Sequence, residues 1–437
     1  MQSKKVHIIG AGLAGCEAAI QLARRGFEVK LYEMKPHKRS PAHKSNNYGE
    51  LVCSNSLRSE SLSNAVGLLK EEMRRLGSVV IEAADYSRVP AGAALAVDRE
   101  VFSQYITVKI ESEPLITVIN QEINSIDDFS NEDFIIIATG PLSTDELTYS
   151  LRKYTGDNLH FYDAAAPIVH GESVDMNEAF YASRYDKGSD YLNCPLTKEQ
   201  YDEFYSALIS AECVPFKDFE PKDIFEGCMP IEIMAQRGYQ TLCFGPLKPK
   251  GLIDPKMGKE PFAVVQLRKE DKEGRMFNMV GFQTHLKFNE QKRVFSLIPA
   301  LKNAEFLRHG VMHKNTFINS PKLLDYAYRL KDAPNIRFAG QITGVEGYAE
   351  SAASGLICGI LTALELSGKE IPELDNETAL GALSGYISNS PSSNFQPMHI
   401  NYGIMAPYEK KIRNKTQRYE LISKRALNKI EKLVTIM

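Results

Sequence analysis

The hydrophobic pattern changes character three times before residue 34. Val6 to Ile9 is an apolar run of strand length, and Gly10-Ala11-Gly12-Leu13-Ala14-Gly15 interrupts it. Ala14 to Arg25 then carries the small and apolar residues of a buried helix, and Glu28 to Tyr32 reads as a second strand ending on the acid Glu33. Strand, glycine turn, helix and strand in that order predict a Rossmann-type opening. Further on, apolar residues at helical spacing predict a helix over 64–76, and Asp98 is placed to cap another that runs to about Ile110. Asp133 to Gly140 is a buried strand entering a glycine turn, as expected of the last parallel strand before the chain leaves the unit.

Between these elements Pro36 to Ser61 is polar, with Lys38, Arg39, His43, Lys44 and Arg58 but few large apolar residues, and reads as an ordered loop beside the glycine turn. The pattern shifts again from about Ala165 to Val311, where strand-like runs such as Phe262–Leu267 and Phe277–Gln283 alternate with turn-rich stretches such as Gly245 to Gly251. Ile336 to Ala339 resumes a strand. Glu350 to Leu366 predicts a helix rich in Ala, Gly and Ser, able to pack close to a backbone or a ring. The expected architecture is α/β: a Rossmann-type domain formed by residues 1–165 and 312–437, interrupted by an inserted α+β domain over 166–311.

Composition narrows this picture. A chain of 437 residues exceeds one ordinary core, and 43% hydrophobic with 24% charged residues is the balance of a soluble globular protein and argues against disorder. No signal peptide precedes the first strand, and the apolar uncharged run Ser351 to Leu364 falls short of the roughly 17 to 25 residues of a membrane span. A cytoplasmic protein is expected. The seven scattered cysteines form neither a disulfide framework nor a CxxC metal pattern, so reduced thiols are expected. The net charge of −3 hides an asymmetry, because residues 408–437 hold nine Lys and Arg against three Glu. Such a tail suits a polyanionic partner. It equally suits a terminal helix with Leu421, Ile422, Leu427, Ile430 and Leu433 buried and its basic face solvated.

The glycine turn carries the first candidate chemistry. Gly10 allows the turn, Gly12 lets the backbone approach a pyrophosphate, Gly15 lets helix and strand pack closely, and the helix N-terminus offers N–H groups and a positive dipole to phosphate. Ala11, Leu13 and Ala14 complete the cradle, and Glu33 is placed to accept from a ribose hydroxyl. The late stretch from Phe338 to Gly355, with Gly340, Gln341, Gly347 and Glu350, is the return expected of a flavin enzyme, which seats its isoalloxazine near the N-terminus of a late helix. An NAD dehydrogenase needs no such return, and no second GxGxxG follows a strand in the insertion, so FAD is the expected dinucleotide. Cys53, in a polar loop with Arg58 five positions on, and Cys228, in a glycine-proline turn, are candidate reactive thiols; for each, a small buried hydrophobe is the alternative. Cys16, Cys194, Cys213, Cys243 and Cys358 read as structural.

Over essentially its whole length the sequence resembles the TrmFO family of folate- and FAD-dependent tRNA uracil-5-methyltransferases. The segments VHIIGAGLAGCEAA, ELVCSNSLRS, VPAGAALAVDRE, FEGCMPIE, TLCFGPLKP, VGFQTHLK, GVMHKNTFINSP, FAGQITGVEGY and NFQPM carry the resemblance. It implies transfer of a carbon from methylenetetrahydrofolate by way of FAD, reduction to methyl by electrons from NADH or NADPH, and 5-methyluridine as product at position 54 of the tRNA T-loop. It places the two family cysteines on Cys53 and Cys228. Cys228 is then the nucleophile at uracil C6, and Cys53 the partner that guards the flavin-borne carbon or moves the proton at C5. It turns the tail toward RNA contact through Lys410, Lys411 and Arg413. His285, His313 and Lys314 fall in family-like stretches where polar groups meet folate or phosphate, although a lone His more simply fills a structural role. The sequence departs from the family at His399, after NFQPM, and at Met405-Ala406-Pro407. The same chemistry on 23S rRNA, or a flavin oxidoreductase without RNA substrate, are the alternatives. Neither a membrane nor a protein partner is expected.

Overall fold

The computed structural model describes residues 5–156, 159–184, 188–215, 229–271, 273–410 and 412–434, without the side chains of 159–164, 313, 314 and 394. Its principal sheet has the strand order Arg329–Leu330, Ala333–Phe338, Phe134–Ile137, Val6–Ile9, Val29–Glu33, Ile116–Asn120. All neighbouring pairs run parallel except the first, an antiparallel edge hairpin. The central strands are apolar because both faces are covered: Val6 to Ile9 and Phe134 to Ile137 are buried throughout. The fold is thus the expected α/β, Rossmann-type class.

On one face the helix Leu13–Ala23 packs against the late helix Tyr348–Leu366 at backbone contact. A Cβ on Gly355 would strike the backbone of Ala14, and one on Gly359 would lie 2.8 Å from the Ala18 carbonyl oxygen. The small residues of the late helix therefore serve close helix packing. It is the one helix among the described residues long and apolar enough to cross a membrane, and 83% of its apolar window is buried inside the protein. Asp98 caps the helix Arg99–Glu111 by accepting from the N–H groups of Glu100 and Val101, as the sequence predicts. The helix over 64–76 forms as Ala65–Arg75.

A second sheet, antiparallel throughout, has the order Phe180–Ala182, Tyr191–Leu196, Ala263–Lys269, Met276–Met279, Ile168–His170, Phe306–Arg308 and owns a separate hydrophobic core. The strand expected over Phe277–Gln283 stops at Met279, because the chain turns at Gly281, whose φ of +78° no strand residue adopts. The two chain crossings between the sheets, Leu159–Ala164 and Met312–Phe317, pair with each other as an antiparallel ribbon. Within the polar loop that follows the second strand, Ser56–Ser59 forms a short strand against Ala94–Val97 that the sequence does not announce.

The terminal helix, Lys415–Val434, buries Ile422, Ala426, Leu427 and Ile430, while Leu421 and Leu433 are only half-buried. It lies beside Ala65–Arg75, where the Arg75 guanidinium pairs with Glu431 at 2.6 Å.

Candidate functional site

The glycine turn is built as its spacing requires. Gly10 has a φ of +100°, and a Cβ there would sit 2.7 Å from the Ala138 carbonyl oxygen on the adjacent strand; a Cβ on Gly15 would collide with the carbonyl of Gly10. Gly12 differs, because a Cβ there would meet no protein atom within 4 Å. It is the N-cap of Leu13–Ala23, and no side chain caps that helix end. Open space in front of uncapped N–H groups is where a pyrophosphate fits.

A cleft of about 1130 Å³, open to solvent, begins at this turn. Gly10, Ala11, Gly12, Leu13, Ala14, Glu33, Gly340 and Gln341 line it, joined by Ser40, His43, Glu50 and Val52 of the polar loop and by 139–144 after the third parallel strand. Glu33 stands at the end of its strand, its carboxylate accepting from the N–H groups of Ala11 at 2.9 Å and Lys35 at 3.0 Å. Gly340 has a φ of +84° and donates its N–H to the Ser354 hydroxyl at 2.6 Å. That bond fixes the late stretch against its helix.

Gly15, Gly347 and Glu350 do not line the cleft. Gly15 acts beneath the turn. Gly347, with a φ of +108°, starts the late helix where a Cβ would intrude on Glu350, Arg58 and His399. Glu350 is fully buried, forms an ion pair with Arg58 and accepts from the Ile400 N–H at 3.0 Å, so it ties the SNSLRS loop to the segment after NFQPM. Arg58 holds this pose with a φ of +62°, in the left-handed region that costs a non-glycine residue energy. His399 donates from Nδ1 to the Glu346 carbonyl at 2.6 Å, and burial lowers its pKa. The departure at His399 is thus absorbed structurally.

Cys53 lies just behind the cleft wall formed by Val52 and Tyr348. The Tyr348 hydroxyl accepts from the N–H groups of Cys53 at 2.7 Å and Ser54 at 3.1 Å, and stands 2.9 Å from the Cys53 sulfur. Three arginines grip the same loop from outside. Arg308 donates to the carbonyls of Val52 at 3.1 Å and Cys53 at 2.8 Å, Arg99 to that of Leu51 at 2.8 Å, and Arg268 to the Ser54 hydroxyl at 2.9 Å. Arg99 is neutralised by Glu270 at 2.5 Å. Burial, and the charge of Arg99, push Arg308 down to about 10; burial and the nearby Cys53 hold the Tyr348 phenol well above its usual range. The phenol is therefore neutral at physiological pH and can share a proton with the sulfur. Tyr348 lies inside the late stretch and Arg99 inside VPAGAALAVDRE, but the contacts that these and the other arginines make with Cys53 escape sequence reasoning because Cys53 is far from all of them in the chain.

Cys228 and Lys411 lie outside the described residues. Lys410 and Arg413 are exposed just before the terminal helix, and Lys415 and Arg418 stand 5.6 and 5.3 Å from the Tyr419 ring. His285 is bonded to Glu232 away from the cleft, and the backbone of His313 and Lys314 lies on the ribbon strand. Buried Cys194 and Cys358 are pushed up to about 12 and about 11, and Cys16 higher still.

Parallel sheet, glycine turn, uncapped helix end and late glycine return define a Rossmann-type dinucleotide-binding protein. The family model described as glucose inhibited division protein A matches residues 5–370. Proteins called methylenetetrahydrofolate–tRNA-(uracil-5-)-methyltransferase TrmFO from Acetivibrio thermocellus and Heliobacterium modesticaldum are each 57% identical over 98% of both chains. The protein of that name from Bacillus cereus is 55% identical over 100% of both. Among solved structures, GidA of Aquifex aeolicus shares the fold with a TM-score of 0.68 at 16% identity, covering 99% of this chain and 76% of that one. The chain belongs to the glucose inhibited division protein A family and, within it, to the TrmFO proteins.

Proposed function

We propose that this chain is a methylenetetrahydrofolate–tRNA uracil-5-methyltransferase that holds FAD, takes electrons from NADH or NADPH and forms 5-methyluridine at position 54 of the T-loop. The observation that carries this reading is identity of 55–57% along the full chain with relatives bearing that name. Nothing in those names favours 23S rRNA as substrate or a flavin oxidoreductase without RNA. A cytoplasmic location follows from the substrates. In this reading residues 1–165 and 312–437 form the FAD-binding domain and 166–311 the inserted domain.

The open face of Gly12 and the uncapped helix end fit the pyrophosphate of FAD, Glu33 fits the ribose, and Gly340, which packs against Ala14, and Gln341 line the same cleft. When bound, FAD supplies the redox and one-carbon chemistry that no amino-acid side chain has. Uracil C5 needs activation. The Cys228 sulfur adds to C6, the ring electrons move to the O4 enolate, and C5 becomes the nucleophile; loss of the C5 proton and elimination of the sulfur restore the ring. Cys53, with its carbonyl clamped by Arg308 and its sulfur beside the neutral Tyr348 hydroxyl, is placed to hold or move a proton. Lys410, Lys411 and Arg413 meet the tRNA backbone.

Cys228→Ala is expected to retain yellow, FAD-bound protein and to lose the covalent adduct with tRNA on denaturing gels. An undiminished adduct would remove Cys228 from the nucleophile's role.

A further inference from the structure

Outside the cleft, the described residues gather one more group of reactive side chains. The Cys213 sulfur, a Glu232 carboxylate oxygen and a His285 ring nitrogen all lie within 4.8 Å of one another. Backbone hydrogen bonds fix all three. Cys213 forms an antiparallel bridge with Leu286, the Val214 N–H donates to the His285 carbonyl at 2.9 Å, and the Ile231 N–H anchors the short helix carrying Glu232 to the Gln283 carbonyl at 2.8 Å. Glu232 accepts from the His285 backbone N–H at 2.9 Å, from its ring Nδ1 and from the Thr284 hydroxyl at 2.8 Å. Glu232 is 2% exposed and His285 7%, whereas Cys213 is only half-buried.

The order is thiol, imidazole, carboxylate: a nucleophile, a proton-bearing ring and a group that orients the ring. Burial opposes charge on His285, but its bonds to Cys213 and Glu232 prevail and raise it to about 9. At neutral pH a cationic ring therefore stands beside the half-buried Cys213, a setting that favours thiol chemistry. Cysteine, histidine and carboxylate also make a zinc donor set. Here, however, both Glu232 oxygens already accept hydrogen bonds, from the Thr284 hydroxyl and from the His285 N–H and ring Nδ1, so a metal would have to displace those donors to use the carboxylate. The arrangement favours thiol chemistry over metal binding.

We propose that Cys213 is a nucleophilic thiol set up by His285 and Glu232, a modification site apart from the dinucleotide cleft that takes small soft electrophiles, hydrogen peroxide foremost. The thiolate attacks one peroxide oxygen, an S–O bond forms as the O–O bond breaks, and the departing hydroxide takes the imidazolium proton and leaves as water. Sulfur is oxidised by two electrons to sulfenic acid, and peroxide is reduced. Peroxide suits the site because it is small enough for a half-buried sulfur and needs an acid at its leaving oxygen, which the ring provides. The inference does not depend on the proposed methyltransferase activity.

The test treats the full-length, FAD-loaded protein with micromolar hydrogen peroxide and traps sulfenic acid with dimedone, measuring occupancy of each cysteine by peptide mass spectrometry. Cys213 is expected to be trapped about tenfold faster than Cys243, whose thiol burial pushes up. His285→Gln and Glu232→Gln should each slow Cys213 about tenfold and leave trapping at Cys53 unchanged. Trapping of Cys213 no faster than that of Cys243 in the wild-type protein would overturn the proposal without reference to any variant. So would stoichiometric zinc uptake, from zinc chloride, that is lost in Cys213→Ser.

Discussion

Gly12 and Gly15 occupy one motif for opposite reasons. At Gly15 the protein itself has no room, whereas at Gly12 the space in front of the backbone is needed by something the protein binds. Two substitutions separate these roles. Gly12→Val is expected to fold with a melting temperature close to that of the flavin-free wild type but to purify colourless. Gly15→Val is expected to lower thermal stability itself, by the 1–3 kcal/mol or more typical of overpacking, and to lose flavin as a consequence. Absorbance at the flavin maximum and thermal unfolding of flavin-free protein distinguish the two; a yellow Gly12→Val would refute the role given to Gly12. The glycines and Glu33 are legible from sequence because one local turn sets their spacing. Glu350 is legible as part of a motif but not in its role, since its partners Arg58 and Ile400 come from elements remote in the chain.

At the scale of elements, two buried glutamates do work that helix patterns cannot reveal. Glu17, inside the first helix, accepts from the Ser78 hydroxyl at 2.7 Å and the Val80 N–H at 3.0 Å, at the start of Val79–Tyr86. Glu72 accepts from the N–H groups of Ala379 at 2.8 Å and Leu380 at 2.9 Å, at the start of Ala379–Asn389. Each carboxylate caps a helix other than its own. Burial raises Glu72 from 4.5 to about 8, so the folded state binds a proton there that the unfolded chain releases. This contribution to stability is therefore fully present below about pH 4.5 and is lost as pH rises through about 8. Urea unfolding should show wild-type stability falling more between pH 6 and pH 9 than that of Glu72→Gln; equal slopes would contradict the assignment. The sequence conveys the helices themselves through their periodicity. It misses the Ser56–Ser59 strand, because a short, half-exposed edge of polar residues has no pattern to distinguish it from a loop.

The tail shows how the same residues serve packing and charge. Arg425 and Lys429 are drawn inward to Glu377 and Asp375, while Lys410 and Arg413 remain exposed. The tail combines the amphipathic helix its apolar stripe predicts with outward cations just before it. Neutralising Lys410, Lys411 and Arg413 together is expected to weaken tRNA binding and to flatten the dependence of affinity on salt, each lost phosphate contact removing up to about 0.7 to 0.9 from the log–log slope. An unchanged slope would leave the tail with packing alone.

For the whole molecule, the sequence conveys the parallel sheet and the change in character after residue 165, because buried strands and a glycine turn are local signals. It does not convey how the second sheet meets the first. Arg268 and Arg308 reach from the antiparallel sheet to the Cys53 loop, and Glu270 reaches from beside that sheet to Arg99, so the loop is gripped jointly from both sides. Long-range ion pairs of this kind leave no periodicity to read. The account rests on one reaction, and one measurement tests it most directly: incubation of the protein with methylene-labelled methylenetetrahydrofolate, NADH and NADPH and unmodified tRNA, followed by mass analysis of nucleosides. The account predicts label in 5-methyluridine from the T-loop. Flavin-loaded protein that leaves tRNA unlabelled would contradict it.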